Sequence, residues 1–178
     1  MNFKYLAVTA LLLFALASCK NNYHEKQQAE QIMRKEYNKK LIEANKGLVA
    51  RDSSRIVGVI RANNWDMNVT GTGLWYEIIE KGRGQKAKPN QIAILDYKVR
   101  LLSGELAYTS DSTGPLKFKI SKGGVERGLE EGVLLLHQGD SARFIMPPYM
   151  AHHLLGDQKK IPPRSTIIYE VRLKSLKK

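Results

Sequence analysis

The feature that most constrains the fold is a series of short segments after Val69 in which apolar and polar residues alternate. In residues 92–101, every second side chain from Ala93 onward is apolar, whereas Asp96, Lys98 and Arg100 point the other way. Successive side chains of a strand face opposite sides of a sheet, so each such segment predicts a half-buried strand. The predicted strands cover residues 74–79, 92–101, 116–120, 141–146 and 167–173.

One short helix interrupts these strands. Val125, Leu129, Val133 and Leu136 are spaced so that they share one helical face. Several half-buried strands with a single helix are typical of an α+β domain, in which an antiparallel sheet wraps on the helix. We predict this fold class for residues 70–178.

A polar helical extension precedes the predicted domain. Residues 20–47 are rich in Lys, Glu and Gln, contain no proline, and predict a helix over residues 24–45 that ends near Gly47. A second helix, capped by Asp52 or Ser53, is predicted to end at Asn63-Asn64. The first helix carries an apolar stripe, which either packs on its own domain or pairs with a second copy of the chain. The stripe consists of Ala29, Ile32, Met33, Tyr37, Leu41 and Ala44.

Residues 1–18 are organised like the leader of an exported protein. Lys4 is their only charge, and residues 5–17 are apolar or small. This run is shorter than the roughly 20 apolar residues that cross a bilayer as a helix. The stretch ends Leu16-Ala17-Ser18-Cys19, which resembles the lipobox of bacterial lipoproteins and implies lipid attachment at Cys19. Cys19 is the only cysteine, so it cannot close an intramolecular disulfide.

These segments predict three regions: a signal peptide (1–18), a helical extension (19–69) and a folded domain (70–178). The leader predicts a lipid-anchored protein of the cell envelope, and Lys20-Asn21-Asn22 after the anchor favours a periplasm-facing position. The formal net charge is +12, which would suit nucleic acid. The predicted export argues against nucleic acid as a partner, and favours anionic lipid headgroups, envelope polymers or acidic proteins as partners. A basic surface that only maintains solubility is the simpler alternative.

Motifs in the second half together resemble the FKBP-type peptidyl-prolyl isomerases. Residues 125–133 are similar to the helix signature of that family, and residues 139–144 and 161–171 are similar to the segments that follow it. Upstream, residues 96–99 and 101–104 resemble the first long strand and its turn. The resemblance covers residues 70–178. The lipobox, the helical extension and residues 72–76 also resemble the gliding-motility-associated lipoprotein branch of the family.

The resemblance implies an antiparallel half-barrel around a short helix, and isomerisation of X-Pro bonds in exported proteins, with no metal or cofactor. Carried over residue by residue, it places Tyr97, Val125, Ile161 and Tyr169 in the catalytic pocket. The backbone N–H of Ile161 would bind a substrate carbonyl. Further substrate contacts are implied for Tyr108, Leu116, Phe118, Leu129 and His152.

The chain also departs from the family pattern. Leu129 stands where the family has a tryptophan, Ala107-Tyr108 replaces a Phe-Asp pair, His152 replaces a tyrosine, and Glu126 replaces an apolar residue. Two functions therefore stay open: an isomerase, or an FKBP-like module that binds proline-containing segments without useful turnover.

His152 and His153 also raise the question of a metal site. Adjacent residues in an extended loop point apart, and no acidic or cysteine residue stands at ligand spacing. A metal site is therefore not expected here.

Overall fold

The computed structural model describes residues 3–178, with side chains from Tyr23 onward. The predicted leader and the lipid-attachment residue Cys19 lie outside the residues whose side chains are described. The helices are α1 (Phe3–Asn63), α2 (Ser110–Thr113) and α3 (Arg127–Val133), with a 3-10 turn at Pro148–Met150. The strands are β1 (Asn68–Val69), β2 (Trp75–Glu80), β3 (Ile92–Leu101), β4 (Leu106–Thr109), β5 (Leu116–Lys119), β6 (Ser141–Met146) and β7 (Ile167–Lys177).

The strands form one antiparallel sheet in the order β1-β2-β6-β7-β3-β4, and β5 pairs with β3. The predicted α+β fold is confirmed, and the predicted bounds of β3 and β6 match the structure. Strand β4 was not predicted; it has only four residues and pairs with β3 through a register shift at Val99 and Arg100. Such a short, irregular strand leaves little alternation to detect.

Helix α3 packs closely on the sheet because two of its residues are glycines. A Cβ atom on Gly132 would lie 2.8 Å from the ring of Phe144, and one on Gly128 would lie 2.7 Å from Met146 Cγ. Leu129 and Val133 of the same helix are fully buried in the main core. The close approach of α3 positions the loop before it against the strands that carry the predicted site.

The prediction of two N-terminal helices was wrong, because α1 is one continuous helix through Gly47. A glycine inside a helix costs only about 1 kcal/mol, and good helix formers surround this one. Asp52 does not begin a helix. Its carboxylate instead pairs with Arg164, with Nη2 and Oδ2 3.2 Å apart. The predicted end is correct, since α1 stops at Asn63 and Asn64 has a φ of 54°.

The last turns of α1 belong to the folded domain. Ile56 is fully buried against Ile145 of β6 and Ile168 of β7, which form a second apolar cluster with Trp65 and Trp75 packed against it. The compact unit accordingly spans Val49–Lys178 and begins before the boundary predicted at residue 70.

The remaining unit, Met1–Leu48, contains the predicted apolar stripe. The side chains of Met33 and Tyr37 are 68% and 64% exposed. In the part of the chain that the structure describes, no helix combines the length and apolar character of a membrane span.

Candidate functional site

A cleft of about 570 Å³ opens between the sheet and the loops on either side of it. Most of the residues implied as site residues come together here: Tyr97 from β3, Tyr108 from β4, Leu116 from β5, Val125 before α3, His152 after β6 and Tyr169 from β7. The cleft also has lining residues that were not predicted as site residues, namely Val99, Gly124 and Ala151, together with His153, considered only for a metal site, and Glu126, noted only as a departure.

The other implied residues do not line this cleft. Phe118, Leu129 and Ile161 are 7%, 0% and 3% exposed, and all belong to the main core. Leu129 lies on the buried face of α3, so its neighbours cover it instead of leaving it as an open floor. These side chains belong to the core on which the residues that line the cleft are packed.

Two tyrosine rings form the central walls. The ring centroids of Tyr97 and Tyr169 lie 6.2 Å apart, with 34° between the ring planes. Both hydroxyls have partners: Tyr97 Oη lies 2.8 Å from Thr113 Oγ1, and Tyr169 Oη donates to Glu126 Oε1 at 3.0 Å. Rings fixed in this way offer apolar faces to a ligand without leaving a polar atom unpaired.

Glu126 organises a polar cluster where the family resemblance implied an apolar side chain. Its Oε1 accepts from Tyr169 and lies 2.9 Å from His152 Nε2. Glu126 stands at the N-cap of α3 without making a side-chain cap, because its carboxylate is used in this cluster. Burial, followed by the nearby Glu126 charge, raises the pKa of Tyr169 far above its ordinary value, so this hydroxyl keeps its proton.

Asp157 is the polar residue that the sequence analysis missed. Its carboxylate accepts from the Tyr108 hydroxyl, from Lys159 N–H at 2.9 Å and from Ile161 N–H at 2.8 Å. Burial acts to raise the pKa of Asp157, but these hydrogen bonds outweigh it and lower the pKa to about 2. A signal was present in Asp157 itself, because an Asp side chain in a loop often accepts from the backbone N–H two residues on, here that of Lys159.

The hydrogen bond to Asp157 changes the implied role of Ile161. Its N–H was expected to bind a substrate carbonyl, yet it is already used by the Asp157 carboxylate. Glu126 lines the cleft, and its backbone N–H makes no hydrogen bond to another of the residues that the structure describes. It is the better candidate for a donor to a bound carbonyl.

A larger groove of about 730 Å³ lies elsewhere, between the last turns of α1 and the outer face of β3 and β7. It is lined by Arg55, Trp65, Arg100 and Glu170 among others, and contains none of the implied site residues. Within residues 23–178, no cluster of three or more His, Cys, Asp or Glu side chains is arranged to hold a metal ion.

The sequence and the fold both have known relatives. Residues 83–174 match the family model described as FKBP-type peptidyl-prolyl cis-trans isomerase. The chain is 29% identical over 153 residues to the probable FKBP-type peptidyl-prolyl cis-trans isomerase FkpA of Neisseria meningitidis, covering 83% of this chain and 56% of that protein. It is 31% identical over 112 residues to FkpA of Escherichia coli K12, covering 62% of this chain and 40% of that protein.

Solved structures show the same architecture. The crystal structure of FkpA from Escherichia coli superposes with a TM-score of 0.60 at 25% identity, covering 85% of this chain and 72% of that one. The crystal structure of AtFKBP13 gives a TM-score of 0.60 at 24% identity, with 62% of this chain and 98% of that chain covered. The latter likeness concerns the fold.

Proposed function

Because the chain belongs to the FKBP-type peptidyl-prolyl cis-trans isomerase family, we propose that its cleft binds X-Pro segments and catalyses their cis–trans isomerisation. The observation that carries this proposal is the pair of fixed aromatic walls, Tyr97 and Tyr169, in a cleft large enough for a proline ring and its neighbours. The retained Val125 and Leu116 add apolar surface beside them.

The chemistry requires no covalent intermediate. Rotation about a peptide bond has a barrier of about 18–20 kcal/mol, and uncatalysed X-Pro isomerisation takes tens of seconds or longer. The twisted amide has lost its conjugation and has a smaller dipole than the planar one. An apolar cleft therefore stabilises the twisted state more than the planar state, which lowers the barrier.

A backbone donor would hold the substrate in place during this rotation. The N–H of Glu126 lies beside Val125, at the start of α3, where the helix dipole favours a partial negative charge. A substrate carbonyl bound at this N–H would fix one side of the X-Pro bond while the other side turns against the tyrosine rings.

The test is an isomerisation assay with an X-Pro model peptide on the full-length chain in detergent. We expect Tyr97→Ala to lower kcat/KM at least about tenfold, since a ring wall is lost. Tyr149→Phe is the matched control, because its hydroxyl bonds to the Thr72 carbonyl outside the cleft. A wild-type chain that does not accelerate isomerisation would contradict the proposal, as would a fully active Tyr97→Ala variant.

The second candidate is a module that binds proline-containing segments with little turnover. The observation that favours it is the polar cluster of Glu126 and His152, which makes one wall less apolar than isomerisation of a twisted amide would prefer. In that case a proline peptide should bind, Tyr169→Ala should weaken its binding by about 1–3 kcal/mol, and isomerisation should stay near the uncatalysed rate.

We further propose that the chain works as a lipoprotein of the cell envelope on exported proteins. The support is the leader and its Leu16-Ala17-Ser18-Cys19 ending. Cells that carry wild type or Cys19→Ser can be labelled with a fatty-acid analogue and fractionated. Label on wild type alone supports the anchor at Cys19, and label on the Cys19→Ser protein would exclude it.

The exposed stripe of α1 is proposed to pair with a second copy of the chain. Met33, Tyr37 and Leu41 follow one another at four-residue spacing, and all are exposed. Sedimentation of residues 20–178 should show a dimer, and charged substitutions at Tyr37 and Leu41 should dissociate it. A wild-type monomer at high concentration would refute this pairing.

A further inference from the structure

The Tyr108 and Asp157 pair joins two walls of the cleft. Tyr108 stands on β4 and lines the cleft, while Asp157 belongs to the 151–161 loop, which supplies Ala151, His152 and His153 to the opposite wall. The Tyr108 hydroxyl donates to Asp157 Oδ2, and the Lys160 ammonium lies 5.3 Å from the centre of the Tyr108 ring. Residues of the loop therefore hold this tyrosine both at its hydroxyl and at its ring.

The loop has a conformation that needs such support. His153 and Gln158 have φ values of 54° and 58°, in the left-handed region that residues other than glycine rarely adopt. Asp157 closes the end of the loop: its N–H donates to the Ile161 carbonyl, and its Oδ1 accepts from Ile161 N–H. The carboxylate thus fixes both its own loop and the tyrosine across from it.

The direction of the Tyr108–Asp157 hydrogen bond follows from charge. With a pKa of about 2, Asp157 is ionised at neutral pH and can only accept. The same hydrogen bond, followed by burial, raises the pKa of Tyr108, so this hydroxyl keeps its proton and donates it to Asp157. The Tyr108 oxygen has two lone pairs: the backbone N–H of Lys160 lies at one of them, and the other can accept a hydrogen bond from a ligand, whereas the hydroxyl has no second proton to donate.

We propose that Asp157 is a positioning residue that fixes the Tyr108 hydroxyl as an acceptor, and that this hydroxyl accepts a peptide N–H of the bound X-Pro segment. The inference rests on the proposed function and adds a specificity to it. The ligand is an extended peptide with a free backbone N–H next to the X-Pro bond. A peptide that presents only carbonyl groups to the Tyr108 hydroxyl should bind less well.

The test compares an X-Pro peptide with two ester analogues, which lack either the N–H of X or the N–H of the residue after proline. Isomerisation is measured with the full-length chain in detergent. We expect one of the two esters to have a kcat/KM about fivefold lower than the amide with wild type, as for the loss of one hydrogen bond. Tyr108→Phe should treat that ester and the amide alike.

Variants of Asp157 distinguish a residue that positions the Tyr108 hydroxyl from one that only stabilises the loop. Asp157→Ala frees the Tyr108 proton and should abolish the preference for the amide, whereas Asp157→Asn keeps an acceptor and should retain most of it. Tyr149→Phe, which loses a hydroxyl outside the cleft, should keep the full preference. Should Asp157→Ala not fold, Tyr108→Phe still decides the question, because it removes a single oxygen.

Two results would overturn the inference: a wild type that prefers the amide over neither ester, or a Tyr108→Phe variant that keeps the wild-type preference. If wild type shows no isomerisation, the proposed function fails, and the same comparison is made by titrating the amide and the esters as ligands. Equal affinity for all three would then reject the N–H contact separately.

Discussion

The hydroxyl of Tyr169 donates to Oε1 of Glu126 across 3.0 Å, and the tyrosine that makes this bond is only 4% exposed. A buried hydroxyl and a half-buried carboxylate therefore depend on each other. Substitution of Glu126 alone leaves the buried Tyr169 hydroxyl without its acceptor, whereas substitution of Tyr169 leaves Glu126 with His152.

The first prediction concerns this pair. Glu126→Leu should lower the free energy of unfolding by about 1–3 kcal/mol, because the Tyr169 hydroxyl loses its acceptor. Combining it with Tyr169→Phe should recover part of the loss, since no unpaired hydroxyl remains. Denaturant unfolding of the single and double variants gives the coupling energy. Strictly additive effects would mean that the hydrogen bond contributes nothing.

The second prediction concerns restoration of the family residues in the cleft. From the sequence alone, tryptophan at position 129 and aspartate at position 108 would be expected to raise turnover. The structure reverses this expectation, because Leu129 is fully buried and Asp157 already places a carboxylate at Tyr108. Leu129→Trp should cost about 1–3 kcal/mol of stability through overpacking. Tyr108→Asp should set two carboxylates against each other and not increase kcat/KM. A stable, faster double variant would contradict this prediction.

The third prediction concerns pH. The pKa of Asp157 falls from 3.8 to about 2 on folding, so the folded state holds this proton less tightly than the unfolded state. The stabilisation is therefore complete above about pH 4 and is lost as the pH falls through 2. Partial solvent screening limits it to about 1–2 kcal/mol. The stability difference between wild type and Asp157→Asn should shrink over this range in denaturant titrations. A difference that stays constant from pH 6 to pH 2 would contradict it.

The fourth prediction concerns the limits of the domain. Ile56 is fully buried against the sheet, so a fragment of residues 49–178 should unfold at a higher temperature than residues 70–178. Ile56→Ala in the longer fragment should cost about 2–5 kcal/mol. Thermal melts of the three proteins make the comparison, with Val49→Ala as a control for an exposed position on the same helix. Equal melting temperatures for the two fragments would show that the predicted boundary at residue 70 is sufficient.

Period-two alternation was enough to place β3 and β6 and to put Tyr97 and Tyr169 on one apolar face. The burial of Ile56 was harder to predict from the sequence, although Ile145 and Ile168 indicated it. Both are apolar residues on the face of the sheet that alternation assigns to solvent, and a strand that is apolar on both faces indicates a second covering layer.

The roles of Asp157 and Glu126 could not be predicted from the sequence, for a different reason. A hydrogen bond between β4 and a loop 49 residues further along the chain has no local pattern. The same is true of the bond between Glu126 and Tyr169, whose partners are 43 residues apart. Periodicity reports which side of an element is buried, and it does not report which buried polar groups meet.

The contact between α3 and β6 has a consequence for how this protein can diverge. A Cβ atom on Gly132 would lie 2.8 Å from the Phe144 ring, so there is no room for a side chain where the helix meets the sheet. A library randomised at positions 128 and 132 should collapse to glycine, while positions 126 and 152, whose side chains meet at the cleft, should tolerate coordinated replacement. Different residues therefore determine the fold and the ligand preference, so the ligand preference can change in evolution while the residues of the core stay the same.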